Sequence, residues 1–445
     1  LKDWRPFPLQ PHICTVLAMD ISGFVPGTSW KPSHFLCAFV TILGNIDFGV
    51  VIPSLFAYVF QEGGGYYFYG ATLSVFMLAR MLSEPFVGSM SDHYGFKRLY
   101  LITLAILIFG NLVYAFAPNV YVLFLGRLIS GCGAAGGCLG APYFARTFER
   151  SCLTSAQFKL TASRALGTLA GLGVSFFVQH LNFDLLGFEV SFTNAPPLFV
   201  AACAAAALAG MAAFFEEVPE AECAEALCRA QSVKLSRAEH LQRLGVLALL
   251  ALHMTTGMAV SFLEAITAPM TQQVFGWEAA TTSLLFALTA VVYICIAILL
   301  DQLTKAVTIA DRKLILVGAS VSIIGGMLVA LWWSDGGPSE GFTAVKFLVS
   351  TFLFTVCQPS LQLSAVRALY TKLIPKRQQG ALQGMFSAMY SLGNLVAPIL
   401  ATYALAEGVW CLKWLLFSST ILNFALMAGG WSGFSEKEFR IDDDE

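Results

Sequence analysis

The chain has 445 residues, of which 57% are hydrophobic and only 12% are charged. A soluble domain normally devotes about a quarter of its residues to charged side chains, so this composition excludes an ordinary soluble protein and indicates one that lies in lipid. The formal net charge of -2 excludes a nucleic-acid-binding role, because binding to phosphates requires a clustered basic surface.

Twelve apolar stretches follow one another along the chain. A helix needs about 20 predominantly apolar residues to cross the hydrocarbon layer of a bilayer, and each stretch meets that requirement. The predicted spans are residues 34–60, 67–90, 98–117, 119–145, 158–181, 196–215, 243–270, 277–300, 313–333, 342–368, 379–404 and 410–431. We therefore predict an all-α membrane protein with twelve transmembrane helices.

The distribution of Lys and Arg supports this count. Basic loops are retained on the cytoplasmic side of a membrane. Every second break between predicted spans is basic, beginning with the one that contains Lys97 and Arg98, and the intervening breaks carry no Lys or Arg. Because a wrong count would scramble the alternation, we expect both ends of the chain on the cytoplasmic side or its equivalent.

The most polar break divides the spans into two groups of six. Its Ala, Glu and Arg content suits a short surface helix, and repeated bundles around a central site are typical of secondary transporters. The predicted division is an N-terminal segment of residues 1–33, a six-helix bundle over 34–215, a linker over 216–242, a second six-helix bundle over 243–431 and an acidic tail over 432–445.

The break between the second and third spans combines Gly88, Asp92, Gly95, Lys97 and Arg98. We interpret it as a short loop that turns tightly and presents one acid and two cations at one face of the membrane. It resembles the loop signature of the major facilitator superfamily, which implies that family's fold of two six-helix bundles. We expect Asp92, with the two cations, to hold the halves closed on the cytoplasmic side and to release them during exchange.

Further segments extend the resemblance along the chain. Residues 126–135, an arginine followed by glycines, resemble the family's fourth helix, and residues 49–53 resemble its kinked first helix. Residues 112–117 and 369–376 resemble the lysosomal branch linked to neuronal ceroid lipofuscinosis. The large luminal loop of that branch is missing, so a lysosomal, plastid or plasma membrane location all remain open.

Two features depart from the family pattern. Leu172 stands where the antiporter signature has a proline, which disfavours drug–proton antiport. The second-half counterpart of the signature loop, residues 301–305, lacks the glycines.

Several ionisable residues fall inside the predicted spans. An ionised side chain at the bilayer centre costs at least about 2.5 kcal/mol on insertion scales, so each needs a physical reason, and we treat all of them as candidates for substrate binding or ion coupling. Counting the helical rise places Asp47, Arg80 and His253 near the middle, Arg127, Glu264 and Lys346 in the outer third, and Glu84 in the inner third.

The family resemblance implies that the first, fourth, seventh and tenth helices line a central cavity, and these carry Asp47, Arg127, Glu264 and Lys346. Two interpretations of Asp47 remain open. It exchanges a proton, because an apolar medium disfavours a charged carboxylate, or it is permanently paired with an arginine of a neighbouring helix. The resemblance implies a coupling or binding role for Arg127 as a fixed charge.

Helix geometry supports expectations for the other candidates. Arg80 and Glu84 stand four residues apart and are expected to form an ion pair along one helix surface. His253 and Glu264 are eleven residues apart and therefore share a helix face, with Glu264 expected at the luminal mouth and His253 expected to be a packing residue.

The predicted function is secondary active transport of a small solute or ion by alternating access, with the proton as a candidate coupling ion. The sequence has no nucleophile elbow, phosphate-binding glycine loop or zinc-site spacing, so we predict no enzymatic activity, cofactor or metal. The expected partners are the substrate and membrane lipid. Two alternatives remain open: a non-transporting scaffold subunit with protein partners, and a passive anion pathway lined by Arg80, Arg127 and Lys346.

Overall fold

The computed structural model describes most of the chain between residues 30 and 434. The described ranges are 30–63, 66–148, 152–178, 183–185, 188–190, 194–217, 237–277, 279–306, 310–332, 344–353, 357–374, 379–407 and 409–434. Most of the predicted N-terminal segment, residues 218–236 of the predicted linker over 216–242, and nearly all of the acidic tail lie outside these ranges.

The first half of the protein, up to residue 217, contains seven helices and a hairpin in its described part. The helices are α1 (Pro32–Gln61), α2 (Tyr66–Tyr94), α3 (Phe96–Ala115), α4 (Val120–Ala134), α5 (Gly140–Thr147), α6 (Leu153–Val178) and α7 (Ala195–Phe214). A 3-10 turn at Ala135–Leu139 joins α4 to α5, so these two helices together form one interrupted span.

The second half, from residue 237, contains seven further helices in its described part. They are α8 (Arg237–Phe275), α9 (Ala279–Ala306), α10 (Asp311–Trp332), α11 (Ala344–Phe352), α12 (Gln358–Leu373), α13 (Gln379–Glu407) and α14 (Val409–Gly430), followed by a 3-10 turn at Trp431–Phe434.

A helix, or a pair of consecutive helices, lies over each of the twelve predicted spans. The pairs are α4 with α5 and α11 with α12. Within the described ranges, seven helical segments are long and apolar enough to cross a membrane by length and hydropathy alone. Two further segments in these ranges, Val291–Leu300 of α9 and Trp414–Gly430 of α14, are also apolar but shorter.

The expectation of an all-helical chain misses one element. Between α6 and α7, β1 (Phe183–Leu185) pairs antiparallel with β2 (Phe188–Val190), and Phe183 lies opposite Val190. Val190 is buried and packs with Ala195 at the start of α7. A three-residue strand is too short to give a clear alternating pattern, so the sequence did not indicate this hairpin.

Local chemistry explains where two of the helices begin. The side chain of Asn119 accepts hydrogen bonds from the backbone N–H groups of Tyr121 and Val122 and so caps α4. Gly95 separates α2 from α3 and has a φ of 80°, a left-handed conformation that glycine adopts at little cost. The predicted loop over residues 88–98 is therefore a single residue, and Gly88 lies inside α2.

Glycines bring helix backbones close together at corresponding places in the two halves. A Cβ added at Gly167 of α6 would overlap the carbonyl oxygen of Ile42 in α1. A Cβ added at Gly393 of α13 would overlap the carbonyl oxygen of Met254 in α8. Small residues at these two positions therefore allow the helix backbones to approach closely.

The largest apolar core lies within the first half, and two smaller cores lie within the second. One of the smaller cores includes Phe158 from α6, so the halves also share apolar contacts. The halves meet mainly where α2 packs along α13 and α6 packs along α9. Side chains on these four helices are therefore positioned to contact both halves.

Candidate functional site

We call the end of the bundle that carries Lys97, Arg146 and Lys372 the basic end. There, the carboxylate of Asp92 in α2 pairs with Arg146 of α5. It also accepts the backbone N–H groups of Gly380 and Ala381, each at 2.9 Å, from the first turn of α13. A helix N-terminus has unpaired N–H groups and favours negative charge, so Asp92 binds the second half as well as the first.

The described contacts of Asp92 are with Arg146 and the start of α13, and not with Lys97 and Arg98, the two cations that the sequence analysis grouped with it. Lys97 instead donates its backbone N–H to Glu217 at 2.8 Å and its ammonium group to the carbonyl of Phe215 at 3.3 Å. Arg98 is exposed. Lys97 therefore contacts the end of the first half, whereas the cation that pairs with Asp92 comes from α5.

A second carboxylate makes a matching set of contacts at the basic end. Asp311, the first residue of α10, lies 2.6 Å from the ammonium group of Lys372 in α12. It also accepts a hydrogen bond from the hydroxyl of Thr154, in the first turn of α6, at 3.2 Å. Thr154 belongs to the first half and Asp311 to the second, so this contact also joins the halves.

Deeper in the bundle, Glu84 connects α2 to the second half. Its carboxylate is fully buried and lies 3.0 Å from the Nε of Arg80, as the four-residue spacing predicts. The hydroxyl of Ser391 in α13 donates to the other carboxylate oxygen at 2.9 Å. Glu84 precedes Asp92 by eight residues, or about 12 Å of helix, so it lies well inside the basic end.

Two further arginines approach this pair. The guanidinium group of Arg164 in α6 interacts electrostatically with Arg80 and Glu84. The guanidinium group of Arg367 in α12 interacts electrostatically with Arg164 and Glu84. We call Arg80, Glu84, Arg164 and Arg367 the central charged cluster. It combines three guanidinium groups with one carboxylate and draws on both halves.

Aromatic side chains form one wall beside the cluster. The ring of His253 in α8 stacks on Phe386 of α13, with centroids 3.7 Å apart, and lies 5.0 Å from the ring of Tyr390. The guanidinium of Arg367 lies 5.6 Å from the centroid of Phe386 on the same wall. His253 therefore packs as a flat aromatic group, in line with its expected packing role.

Asp47 and Arg127 form a separate ion pair within the first half. Arg127 Nη1 lies 3.2 Å from Asp47 Oδ1, and both side chains are fully buried. The guanidinium also lies 4.1 Å from the centroid of Phe76. Two charged groups act on the carboxylate of Asp47. They are the guanidinium groups of Arg127 and Arg80, and both belong to the first half. Of the two interpretations of Asp47, this geometry matches the paired one.

The last two predicted candidates are Glu264 and Lys346. Glu264 lies within α8, but its side chain falls outside the described residues. Lys346 is half-buried near the start of α11. Neither is a described member of the central charged cluster, so their roles stay predictions.

Sequence reasoning missed Arg367 because the predicted span was too short at the basic end, and it missed Arg164 although this residue stands six positions inside the predicted span 158–181. Arg367 stood one residue from the predicted end at 368, where a cation reaches the lipid headgroups, but α12 continues to Leu373. Six further residues add about 9 Å and place Arg367 in the interior. Likewise α6 begins at Leu153 rather than at 158, which moves Arg164 inward. The added parts of these helices contain polar residues, Thr154 in α6 and Thr371 in α12.

Comparison with known proteins supports the predicted fold. A family model described as "Major Facilitator Superfamily" matches residues 35–335. The human organic anion transporter MFSD10 (TETRAN) superposes with a TM-score of 0.70 at 15% identity, covering 89% of this chain and 99% of that one. The proton:xylose symporter XylE superposes with a TM-score of 0.71 at 12% identity, covering 89% and 94%.

Sequence relatives extend over most of the chain. A class H tetracycline resistance protein of Pasteurella multocida is 24% identical over 404 residues, covering 89% of this chain and 94% of that protein. The major facilitator superfamily domain-containing protein 8 of Xenopus laevis is 20% identical over 422 residues, covering 80% and 82%. The predicted helical membrane fold and a transport rather than enzymatic role are confirmed, while the lysosomal branch stays a prediction. The chain belongs to the major facilitator superfamily.

Proposed function

We propose that this secondary transporter is proton-coupled and that Glu84 is the coupling carboxylate. The observation that carries the proposal is the position of Glu84, whose two carboxylate oxygens bind Arg80 of its own helix and Ser391 of the other half. A change of protonation at Glu84 alters contacts across the interface that opens and closes during alternating access.

The contacts of Asp92 and Asp311 support a state closed at the basic end. Both carboxylates bind the first turn of a helix from the opposite half. Gly88 and Gly384 further let α2 and α13 approach closely, because a Cβ at either would overlap the backbone of the other helix. Opening this end requires both carboxylate contacts to break and α2 to separate from α13.

Glu84 is a better coupling candidate than Asp47 because of what surrounds each carboxylate. The carboxylate of Asp47 pairs with Arg127 inside one half, so a change in its protonation does not directly alter a contact with the other half. Protonation of Glu84 removes the only carboxylate of the central charged cluster and weakens its hold on Arg80 and Ser391. The halves then respond to a proton without any change in the Asp47–Arg127 pair.

Spin labels test this coupling without knowledge of the substrate. Arg98 and Leu303, exposed residues at the basic end of the two halves, are replaced by labelled cysteines, and the distances between the labels are measured across a pH series in lipid nanodiscs. We expect a pH-dependent change in the distance distribution that is lost in Glu84→Gln and retained in Asp47→Asn. A response that survives Glu84→Gln and disappears in Asp47→Asn would contradict the proposal.

Flux measurements separate the remaining alternatives. Proteoliposomes are given an inward proton gradient and a panel of radiolabelled small solutes, with a protonophore as control. Accumulation above the external concentration that the protonophore abolishes supports coupled transport. Movement that only equalises the two concentrations supports a passive pathway, and a protein that moves no solute and shows no pH response fits a scaffold subunit.

A further inference from the structure

Arg367 is buried in the interior with donor groups left unused. Its side chain is 1% exposed, and its Nε and Nη2 atoms have no hydrogen-bond partner within the described parts of the chain. A guanidinium carries five N–H donors and does not lose its proton in a protein. Leaving such donors buried and unpaired is costly, so a site that keeps them fits an acceptor that arrives from outside the chain.

The charge around Arg367 indicates what kind of acceptor it is. The charged neighbours of Arg367 include a second cation, Arg164, and one carboxylate, Glu84. Glu84 already binds Arg80 and Ser391. Arg164 and Arg367 come from α6 and α12, which belong to opposite halves. An anion held between them would touch both halves at once.

The shape of the site narrows the class of anion. A guanidinium fork matches two oxygens of a carboxylate, sulfonate or phosphate and makes no such paired contact with a halide. Aromatic rings lie beside the guanidinium group, with His253 stacked on Phe386 and tilted against Tyr390. This aromatic wall suits the carbon body of an organic ion rather than a hydrated inorganic one.

We propose that the transported substrate is a small organic oxyanion whose charged group is bound by Arg367 together with Arg164 and whose body lies against the aromatic wall. This inference rests on the proposed transport function and names its substrate class. Loss of the negative charge at Glu84 strengthens the positive field around the anion. Proton and anion binding therefore favour each other, and the pair moves in the same direction across the membrane.

Thermal unfolding of the purified full-length chain in detergent tests the binding site separately from transport. The probes are benzoate, its neutral isostere benzamide, and sodium chloride at the same ionic strength. We expect benzoate to raise the unfolding temperature in a saturable way, and benzamide and chloride to have no specific effect. Equal stabilisation by benzamide or by chloride overturns the proposal.

Variants distinguish binding from a purely structural role. Arg367→Gln removes a buried guanidinium group with unused donors, so we expect the ligand-free protein to be at least as stable as the original, yet to lose benzoate affinity at least tenfold. Arg367→Lys keeps the charge without the fork and should bind with intermediate affinity. Arg98→Gln, at an exposed arginine, is the control and should bind normally. Undiminished benzoate affinity in Arg367→Gln overturns the proposal.

The two proposals fail in different ways. If benzoate does not bind but the spin-label distances still respond to pH through Glu84, the substrate class is wrong and coupled transport stands. If benzoate binds through Arg367 but the spin-label distances do not change with pH, the anion site is supported and the assignment of coupling to Glu84 is wrong.

Discussion

Asp92 and Asp311 make equivalent contacts in the two halves of the protein. Each pairs with a cation near the end of a helix in its own half, Arg146 or Lys372, and each binds the first turn of a helix from the opposite half. The signature glycines are missing from the second half, but Asp311 at the start of α10 supplies its carboxylate from a different sequence position. At the basic end, each half therefore contributes one carboxylate that binds the other half.

Asp92→Asn should favour opening at the basic end. Hydrogen bonds to charged groups contribute about 1.5–3 kcal/mol each, so loss of the charge that binds Arg146 and the first turn of α13 is expected to shift the equilibrium toward the open state by roughly tenfold or more. Label distances between positions 98 and 303 measure the shift. Asp311→Asn should act in the same direction, and the double variant should exceed either alone. Unchanged distances in all three would contradict a closing role.

Gly384→Ala should prevent tight closure of α2 against α13. A Cβ at this position overlaps the carbonyl oxygen of Glu84, and both atoms belong to helix backbone that cannot simply rotate away. We expect wider label distances at the basic end and slower solute flux. Gly429→Ala in α14 is the matched control, because a Cβ there meets no atom within 4 Å. Equal effects of the two substitutions would mean that helix propensity, not the close approach, is responsible.

Asp47→Asn should reduce stability without removing the pH response. Removal of one partner from a buried ion pair leaves Arg127 uncompensated and typically costs about 3–5 kcal/mol. We expect a clearly lower unfolding temperature in detergent. The double variant Asp47→Leu with Arg127→Met removes both charges and should recover much of that loss. Failure of the double variant to recover any stability would argue that the pair does more than neutralise itself.

Cysteines at positions 61 and 98 should label from opposite sides of the membrane. Gln61 ends α1 and is exposed, and Arg98 lies in the first turn of α3 and is also exposed, with α2 between them. The experiment uses a background without reactive native cysteines and an impermeant maleimide applied to sealed vesicles. Labelling of both positions from the same side would contradict the predicted alternation of basic and non-basic breaks.

The sequence by itself determined the helices and their order. Apolar length is a local property, so each of the twelve predicted spans lies over a helix or an interrupted helix, and the alternation of basic breaks follows from the same local reading. The Arg80–Glu84 pair was also predictable, because residues four apart meet on any helix.

Only the tertiary structure decided which charges meet. Asp92 with Gly380, Glu84 with Ser391, and Asp311 with Thr154 are separated by more than 150 residues, and no local pattern links them. Arg367 lies in the interior because α12 extends beyond its apolar run, and the earlier start of α6 places Arg164 deeper than its predicted span did. Hydropathy measures the transfer of one segment into lipid, whereas a buried charge is stabilised by partners from other helices, and those partners are brought together by the fold.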